Sequence, residues 1–244
     1  MKDSFIFISG ASSDIGQNLI KRLASSHTNI LAHYHTSADA ILSLGKNICA
    51  NIIPLQADFS SEKEISLLWE KIQCYCECPN AFVHLAAPKV LQIRFKDLQW
   101  DEIQKNFDIQ YKAAYLLLSK MLPQMAKRKS GKVVLMLSSY TLNVPPSAMT
   151  HYVSVKYALL GLMKSLSAEY RAKNININAI SPSMVQTKFL THIPRVAIEM
   201  TSQQHPLKRN AIPDDICPII QFLISPESDF ICGVNLPVTG GETF

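Results

Sequence analysis

The chain has 244 residues, a length that fits one large α/β domain or two small ones. Apolar residues make up 48% of it, which is enough to bury a large core and excludes a globally disordered chain. The formal net charge of +5 is spread along the chain and suits an anionic cofactor or an acidic partner, but it is too small to indicate nucleic-acid binding.

The N-terminal segment lacks the features of a signal peptide, because its apolar run is about five residues long and is interrupted by Ser9 and Gly10. No stretch of the sequence approaches the ~18 apolar residues of a membrane-spanning helix. These features predict a soluble cytoplasmic protein.

Apolar, strand-like runs alternate with helical patterns along the chain. Strands are predicted at 4–9, 29–33, 51–56, 81–85, 132–137, 175–180 and 230–237, and helices at 14–25, 62–74, 97–127, 152–173 and 213–224. This alternation predicts a single doubly wound Rossmann-type α/β domain over residues 1–244, with a parallel seven-stranded sheet and helices on both faces. A ligand is expected beyond the carboxyl ends of the strands.

Three of the six cysteines stand close together in the spacing C-x-C-x-C, at Cys74, Cys76 and Cys78. Zinc sites normally use two to four residues between paired cysteines together with a second ligand pair, and no second cluster follows here. We predict reduced structural thiols and no metal site.

Residues 9–16, with the sequence SGASSDIG, follow the first strand and open the first helix; we call them the phosphate turn. Glycines at such a turn let the backbone approach a pyrophosphate, which the helix N-terminus attracts. A small-residue turn between a strand and a helix is equally often only structural, so this feature alone does not identify a site.

Tyr152 and Lys156 are four residues apart near the start of a predicted helix and therefore share one face. Ser139 precedes Tyr152 by thirteen residues and follows the fifth strand. A tyrosine and a lysine at this spacing are commonly only surface neighbours. Beside a catalytic serine, however, a charged lysine is expected to lower the pKa of the tyrosine, which would make the phenol a usable general acid or base.

The order of these and further motifs resembles the short-chain dehydrogenase/reductase family over nearly the whole chain, from Phe5 to about Gly241. The motifs are SGASSDIG at 9–16, Asp58, HLAA at 84–87, Ser139, Tyr152, Lys156, NAISPS at 178–183, Thr187 and TGG at 239–241. Within this family, the motifs most resemble those of 3-oxoacyl-carrier-protein reductases. Residues 33–37 are similar to the corresponding segment of pteridine reductases.

The resemblance implies that Tyr152 protonates a carbonyl oxygen, that Ser139 holds this oxygen, and that Lys156 binds the nicotinamide ribose. Gln110 stands where the family has the asparagine of its proton relay. Counting from Gly131 matches Ser138 rather than Ser139 with the family serine, whereas the interval to Tyr152 favours Ser139.

The resemblance also implies an NADP(H) site. Its expected residues are Gly10, Ser12, Ser13, Ile15 and Gly16 in the phosphate turn, His35, Thr36 and Ser37 after strand two, Asp58 and Phe59 after strand three, Leu85, Ala86 and Ala87 after strand four, Tyr152 and Lys156, and Pro182, Val185 and Thr187. NADPH is expected rather than NADH, because the end of strand two lacks the acidic residue of NAD-specific sites.

Several positions depart from the family pattern. Asp14 replaces the middle glycine of the phosphate turn, residues 84–87 replace Asn-Asn-Ala-Gly, and Ser183 replaces a glycine after Pro182. We expect Asp14 to point away from the cofactor and His84 to be a hydrogen-bonded core residue.

Residues 188–211 correspond to the variable substrate lid of the family, and their apolar side chains suggest an apolar or acyl substrate. The predicted function is therefore NADPH-dependent reduction of a ketone, with a 3-oxoacyl thioester as one candidate substrate. A pteridine-type reductase and a nucleotide-binding sensor are the alternatives.

Four basic residues near helix ends are candidates for docking an acyl carrier protein: Lys127, Arg128, Lys129 and Lys173. Cations at such positions also complement helix C-termini. A homodimer or homotetramer is expected, formed partly by the helices at 97–127 and 152–173.

Overall fold

The computed structural model of the protein describes residues 4–24, 29–45, 48 and 50–243. Within these ranges the strands are β1 (Phe5–Ser9), β2 (Asn29–Tyr34), β3 (Asn51–Gln56), β4 (Ala81–His84), β5 (Gly131–Met136), β6 (Ile175–Pro182) and β7 (Asn235–Val238). The α-helices are α1 (Asp14–Leu23), α2 (Asp39–Gly45), α3 (Glu62–Gln73), α4 (Trp100–Asn106), α5 (Ala113–Arg128), α6 (Thr150–Tyr170), α7 (Arg195–Gln204) and α8 (Pro213–Ile224). A π-helix (Phe107–Lys112) joins α4 to α5.

These strands form one parallel sheet in the order β3-β2-β1-β4-β5-β6-β7. The predicted α/β fold with a seven-stranded parallel sheet is confirmed. The chain runs outward from β1 to β3 and then returns to the middle of the sheet as β4. Such a reversal of strand order opens a crevice beyond the carboxyl ends of the strands, where Ser9 of β1 lies beside His84 of β4.

Each face of the sheet carries its own hydrophobic core. On one face α3, α5 and α6 contribute the fully buried side chains of Ile65, Leu117 and Leu159. On the other face α1 and α8 contribute Leu19 and Ile220. Burying a side chain of this size stabilises a fold by about 1.5–3 kcal/mol. The two cores therefore stabilise the sheet, and the sheet fixes the positions from which the loops at its carboxyl edge begin.

The structure differs from the predicted elements mainly where a helix is interrupted or short. The single helix predicted at 97–127 begins at Trp100 and is divided by the π-helix, in which hydrogen bonds span five residues instead of four. Helices α2 and α7 were not predicted, and the last strand is shorter than the predicted segment 230–237. The predicted end of the first helix at residue 25 lies outside the described residues.

Helix α6 carries the candidate catalytic pair. It begins at Thr150, two residues before the predicted start, so that Tyr152 and Lys156 lie in its first two turns. Lys156 is buried on the inner face of the helix together with Val155 and Leu159. In the part of the chain that the structure describes, no helix is long and apolar enough to cross a membrane.

Candidate active site

Tyr152 and Lys156 lie together at the carboxyl end of β5. The Lys156 Nζ atom is 5.3 Å from the centre of the Tyr152 ring. It donates a 2.8 Å hydrogen bond to the carbonyl of Met136, the last residue of β5. This bond ties the lysine, which is 3% exposed, to the edge of the sheet, whereas part of the Tyr152 side chain stays exposed.

Loss of solvent dominates the electrostatics of this pair. Burial raises the pKa of Tyr152 well above its ordinary value, an effect that a hydrogen bond with Ser138 opposes. Burial also lowers the pKa of Lys156 to about 7. The prediction that the lysine lowers the tyrosine pKa is therefore wrong for this structure, because desolvation penalises both charged forms. Tyr152 keeps its proton at neutral pH, while Lys156 titrates there.

The serine that shares a hydrogen bond with Tyr152 is Ser138. Its Oγ atom also accepts a 3.3 Å hydrogen bond from the Tyr140 amide, which starts a short 3₁₀ turn. Ser139 is equally buried, at 7% exposure, and lies inside that turn. This contact favours Ser138, the serine matched by counting from Gly131, over the predicted Ser139. The additional residue of the chain then falls in the loop between Ser138 and Tyr152.

Tyr140 is a second aromatic residue at the site that the sequence analysis did not identify. Its ring meets the Tyr152 ring edge to face, with centroids 6.2 Å apart and an interplanar angle of 83°. Burial raises the pKa of Tyr140, and the nearby Glu242 carboxylate adds to this effect. In the sequence, only its position directly after the two candidate serines indicates that Tyr140 lies at the site.

An apolar cluster surrounds the two tyrosines and joins them to the lid. It comprises Val90, Tyr140, Met149, Tyr152, Val153, Phe189, Leu190, Ile193, Ala197 and Ile198. A neighbouring cavity of about 330 Å³ is lined by Gln186, Thr187, Leu190, Thr191, Arg195, Ile198 and Glu199. The segment predicted to be the lid therefore presents apolar side chains to Tyr152.

Gln110 lies in the π-helix and is fully buried. Its Nε2 atom donates to Asn106 Oδ1 at 3.1 Å, and its Oε1 atom has no hydrogen-bond partner within the described ranges. The backbone carbonyl of Gln110 lies 2.9 Å from His84 Nε2. Among the described residues, the Gln110 side chain makes no hydrogen bond with Tyr152 or Lys156, so its relay role stays a prediction.

His84 connects the π-helix to the first strand. Its Nδ1 atom lies 2.8 Å from Ser9 Oγ, and the amides of Leu85 and Ala86 donate to the same Oγ atom. With both nitrogens engaged, burial lowers the pKa of His84 to about 3. His84 is therefore a neutral, hydrogen-bonded core residue, as expected.

The phosphate turn is held by its own hydrogen bonds. Ser13 caps α1: its Oγ atom accepts from the Gly16 amide at 3.1 Å and donates to the Gly10 carbonyl at 2.7 Å. The Gly10 amide donates to His33 Nδ1. A side chain at Gly10 would lie 2.9 Å from the Ala86 amide nitrogen, so this glycine allows the turn to approach the loop after β4. The turn leaves the α1 N-terminus at the carboxyl edge.

The predicted 2′-phosphate residues lie beside the predicted adenine residue. His35 Nε2 is 3.7 Å from the Asp58 carboxylate. The Ser37 hydroxyl is engaged with the first residue of α2: it donates to the Asp39 carboxylate at 2.8 Å and accepts from the Asp39 amide at 3.1 Å. Phe59 is 3% exposed and stacks on His33, so its side chain belongs to the core. The residues predicted to bind the adenosine part of the cofactor thus lie in one region of the structure. The side chains of Ser37 and Phe59, however, are already engaged within the protein.

The end of β6 lies on the same edge. Pro182 closes the strand, and Thr187 Oγ1 donates to the Val185 carbonyl at 3.3 Å. The buried Oγ atom of Ser183 has no partner among the described residues. The N-terminus of α1, Ser183 and Lys156 therefore lie along one edge of the sheet, and a helix N-terminus at this edge fits the pyrophosphate of a nicotinamide dinucleotide.

Across the described residues, no three His, Cys, Asp or Glu side chains are grouped so that they could hold a metal ion. The five described cysteines are free thiols, and Cys49 lies outside the described residues.

Fold and site together define a dinucleotide-dependent oxidoreductase. The model of the family described as enoyl-(acyl carrier protein) reductase matches residues 10–243. The chain therefore belongs to this family, within the short-chain dehydrogenases/reductases, and is an NAD(P)-dependent oxidoreductase.

The chain is also similar to individual reductases in sequence and in structure. A 3-oxoacyl-(acyl-carrier-protein) reductase of Staphylococcus aureus (strain Mu50) is 26% identical to the chain over 239 residues, covering 96% of each protein. The crystal structure of levodione reductase has a TM-score of 0.89 at 24% identity, with 98% of this chain and 97% of that chain covered. The structure of ElxO with NADP bound has a TM-score of 0.87 at 23% identity, with 98% of both chains covered. These two structures share the fold.

The two serines can be distinguished by substitution. We predict that Ser138→Ala lowers kcat for carbonyl reduction by about 100-fold, the size typical of losing a positioned hydroxyl donor, while Ser139→Ala costs less than about threefold. Steady-state kinetics of both variants with one substrate and one cofactor measures this. A larger loss in Ser139→Ala than in Ser138→Ala would reverse the assignment.

Proposed function

We propose that the protein reduces a ketone to a secondary alcohol with NADPH, that Tyr152 is the general acid, and that the substrate is a 3-oxoacyl thioester. The observation that carries this proposal is the pairing of the partly exposed Tyr152 with the buried Lys156, beside Ser138 and under apolar side chains of the predicted lid. A protein that only bound a nucleotide would need no such acid–base pair.

When bound, the cofactor supplies the hydride that the carbonyl carbon receives. The Ser138 hydroxyl orients the carbonyl oxygen, and Tyr152 donates its phenolic proton to that oxygen, so that hydride and proton together yield the alcohol. The raised pKa of Tyr152 keeps this proton in place at neutral pH. Lys156, whose pKa is about 7, can hold a proton beside the phenol and return it after each turnover.

The apolar surroundings of Tyr152 support an acyl substrate. Phe189, Leu190 and Ile198 of the lid form a cluster with the Tyr152 ring, and they would exclude water from a bound acyl chain. The Staphylococcus aureus relative, which matches nearly the full length, acts on a 3-oxoacyl group by its name. Together these observations favour a 3-oxoacyl thioester over a polar sugar or pterin.

The cofactor preference follows from the groups at the end of β2. No carboxylate lies within residues 33–37, and His35 offers an imidazole there. The Asp58 carboxylate 3.7 Å from His35 offsets part of any positive charge, so we expect a moderate preference for NADPH. The NADP-bound ElxO structure has the same fold. We retain the other predicted cofactor contacts, with Ser13, Ser37 and Phe59 acting through their backbone atoms.

Two partner predictions accompany this function. Docking of an acyl carrier protein would use Lys127, Lys129 and Lys173, since the Arg128 guanidinium instead donates to the carbonyls of Cys78, Pro79 and Ser130. The homodimer or homotetramer would use the outer faces of α5 and α6, where the Tyr115 and Tyr157 side chains are 51% and 47% exposed. The cytoplasmic location stays a prediction.

The proposed role of Tyr152 is tested by removing its hydroxyl. Tyr152→Phe should lower kcat for reduction of acetoacetyl-coenzyme A by about 10²–10⁴-fold, because the positioned proton donor is lost. NADPH affinity, measured by fluorescence titration, should stay within about threefold, because the aromatic ring remains. Activity near that of the wild type would refute the role, and NADPH binding without any hydride transfer in the wild type would favour a sensor.

Cofactor preference is tested by comparing kcat/KM for NADPH and NADH with one substrate. We expect NADPH to be preferred by about tenfold, the size of one charge-assisted hydrogen bond. His35→Ala should reduce this ratio, and His192→Ala, in the exposed part of the lid, serves as the matched control. A wild-type value for NADH equal to or above that for NADPH contradicts the proposed preference.

A further inference from the structure

The carboxylate of Asp14 connects two segments that are far apart in the sequence. Asp14 is the first residue of α1, and its Oδ2 atom accepts a 2.6 Å hydrogen bond from the backbone amide of Lys188. Lys188 is the first residue of the lid. The residue that replaces a glycine of the phosphate turn is therefore directed at the lid.

The first turn of the lid is otherwise held by local contacts. At the base of the lid, the Gln186 amide donates to the Ala211 carbonyl at 2.8 Å. Lys188–Leu190 form a 3₁₀ turn, in which the Leu190 amide donates to the Thr187 carbonyl. Among the described residues, the hydrogen bond from the Lys188 amide to Asp14 joins this turn to the body of the domain.

The same short turn provides the apolar wall of the active site. Phe189 and Leu190 directly follow Lys188 and belong to the cluster around the Tyr152 ring. Fixing the Lys188 amide therefore restricts where these two side chains can lie. A displacement of the order of 1 Å at such a position is enough to weaken substrate orientation.

The carboxylate also lies at the helix end where the proposed cofactor would place its pyrophosphate. A side-chain negative charge at a helix N-terminus is favourable by itself, because it complements the helix dipole. It repels a second anion at the same end. A carboxylate at this position would therefore hold the lid and also weaken binding of the cofactor pyrophosphate.

We propose that Asp14 is a positioning residue: it anchors the lid at Lys188, holds Phe189 and Leu190 against Tyr152, and weakens binding of the pyrophosphate. The first part stands on the geometry alone, whereas the effect on the pyrophosphate rests on the proposed function. Asp14→Asn and Asp14→Ala separate the two parts. Asparagine keeps an acceptor for the Lys188 amide without the charge, and alanine removes both.

The anchor is tested without cofactor, by hydrogen exchange of the Lys188 amide followed by mass spectrometry with residue-level fragmentation. Asp14→Ala should speed exchange by about tenfold or more, the loss expected for a hydrogen bond to a charged acceptor. Asp14→Asn should recover most of the protection. Asp101→Asn, which removes a carboxylate from the first turn of α4, is the matched control and should leave the rate unchanged. Equal rates in the wild type, Asp14→Ala and Asp14→Asn would overturn the anchor.

The effect on the cofactor is tested by NADPH titration. Asp14→Asn should bind NADPH about threefold more tightly than the wild type at low salt, and the difference should disappear near 1 M salt, where the screening length is about 3 Å. No gain at low salt would overturn the repulsion. Failure of the wild type to bind NADPH would reject the proposed function and leave the exchange result valid.

Substrate kinetics gives a third readout. Asp14→Ala should raise KM for acetoacetyl-coenzyme A several-fold more than Asp14→Asn does, because only alanine releases the lid. Equal KM values in the two variants would contradict positioning through the Lys188 amide.

Discussion

The active site depends on one costly constraint, the burial of a lysine beside a tyrosine at the end of the central sheet. Lowering the Lys156 pKa from 10.5 to about 7 corresponds to a free-energy cost on the order of 5 kcal/mol for keeping the charge buried. The cost is fully present below pH 7 and diminishes as pH rises toward 10.5, because there the unfolded chain binds the proton that the folded chain has lost. The two hydrophobic cores must offset it. The result is an amine that changes its charge in the range where the enzyme is expected to work.

Beside this pair, a second set of buried hydrogen bonds holds the loop after β4, which the proposed cofactor would contact. The Ser9 hydroxyl, the His84 imidazole and the Gln110 carbonyl form a continuous chain from β1 to the π-helix. Since Leu85 and Ala86 also donate to Ser9, the loop after β4 is fixed by the same chain. The family's asparagine pair is absent, yet its place is filled by a neutral histidine with two partners. Departures from a family motif can therefore preserve a structural function through different chemistry.

The sequence predicted the sheet, most strands and the Tyr152–Lys156 pair because these depend on local periodicity and short spacing. It favoured Ser139 from the interval to Tyr152, whereas the hydrogen bond of Tyr152 favours Ser138, because that choice depends on how the loop before α6 absorbs one residue. It gave the wrong direction for the pKa of Tyr152, since burial is a property of the packed site. The contact between Asp14 and Lys188 spans 174 positions, and nothing local could reveal it.

The central claim is that Lys156 titrates near neutral pH because it is buried beside Tyr152. NMR of protein labelled at the lysine side chains measures this directly, with the Lys156 signal assigned from its absence in Lys156→Met. The account predicts a midpoint of about 7, far below about 10.4, the ordinary pKa of a lysine side chain. A Lys156 signal whose midpoint lies near that ordinary value would contradict it.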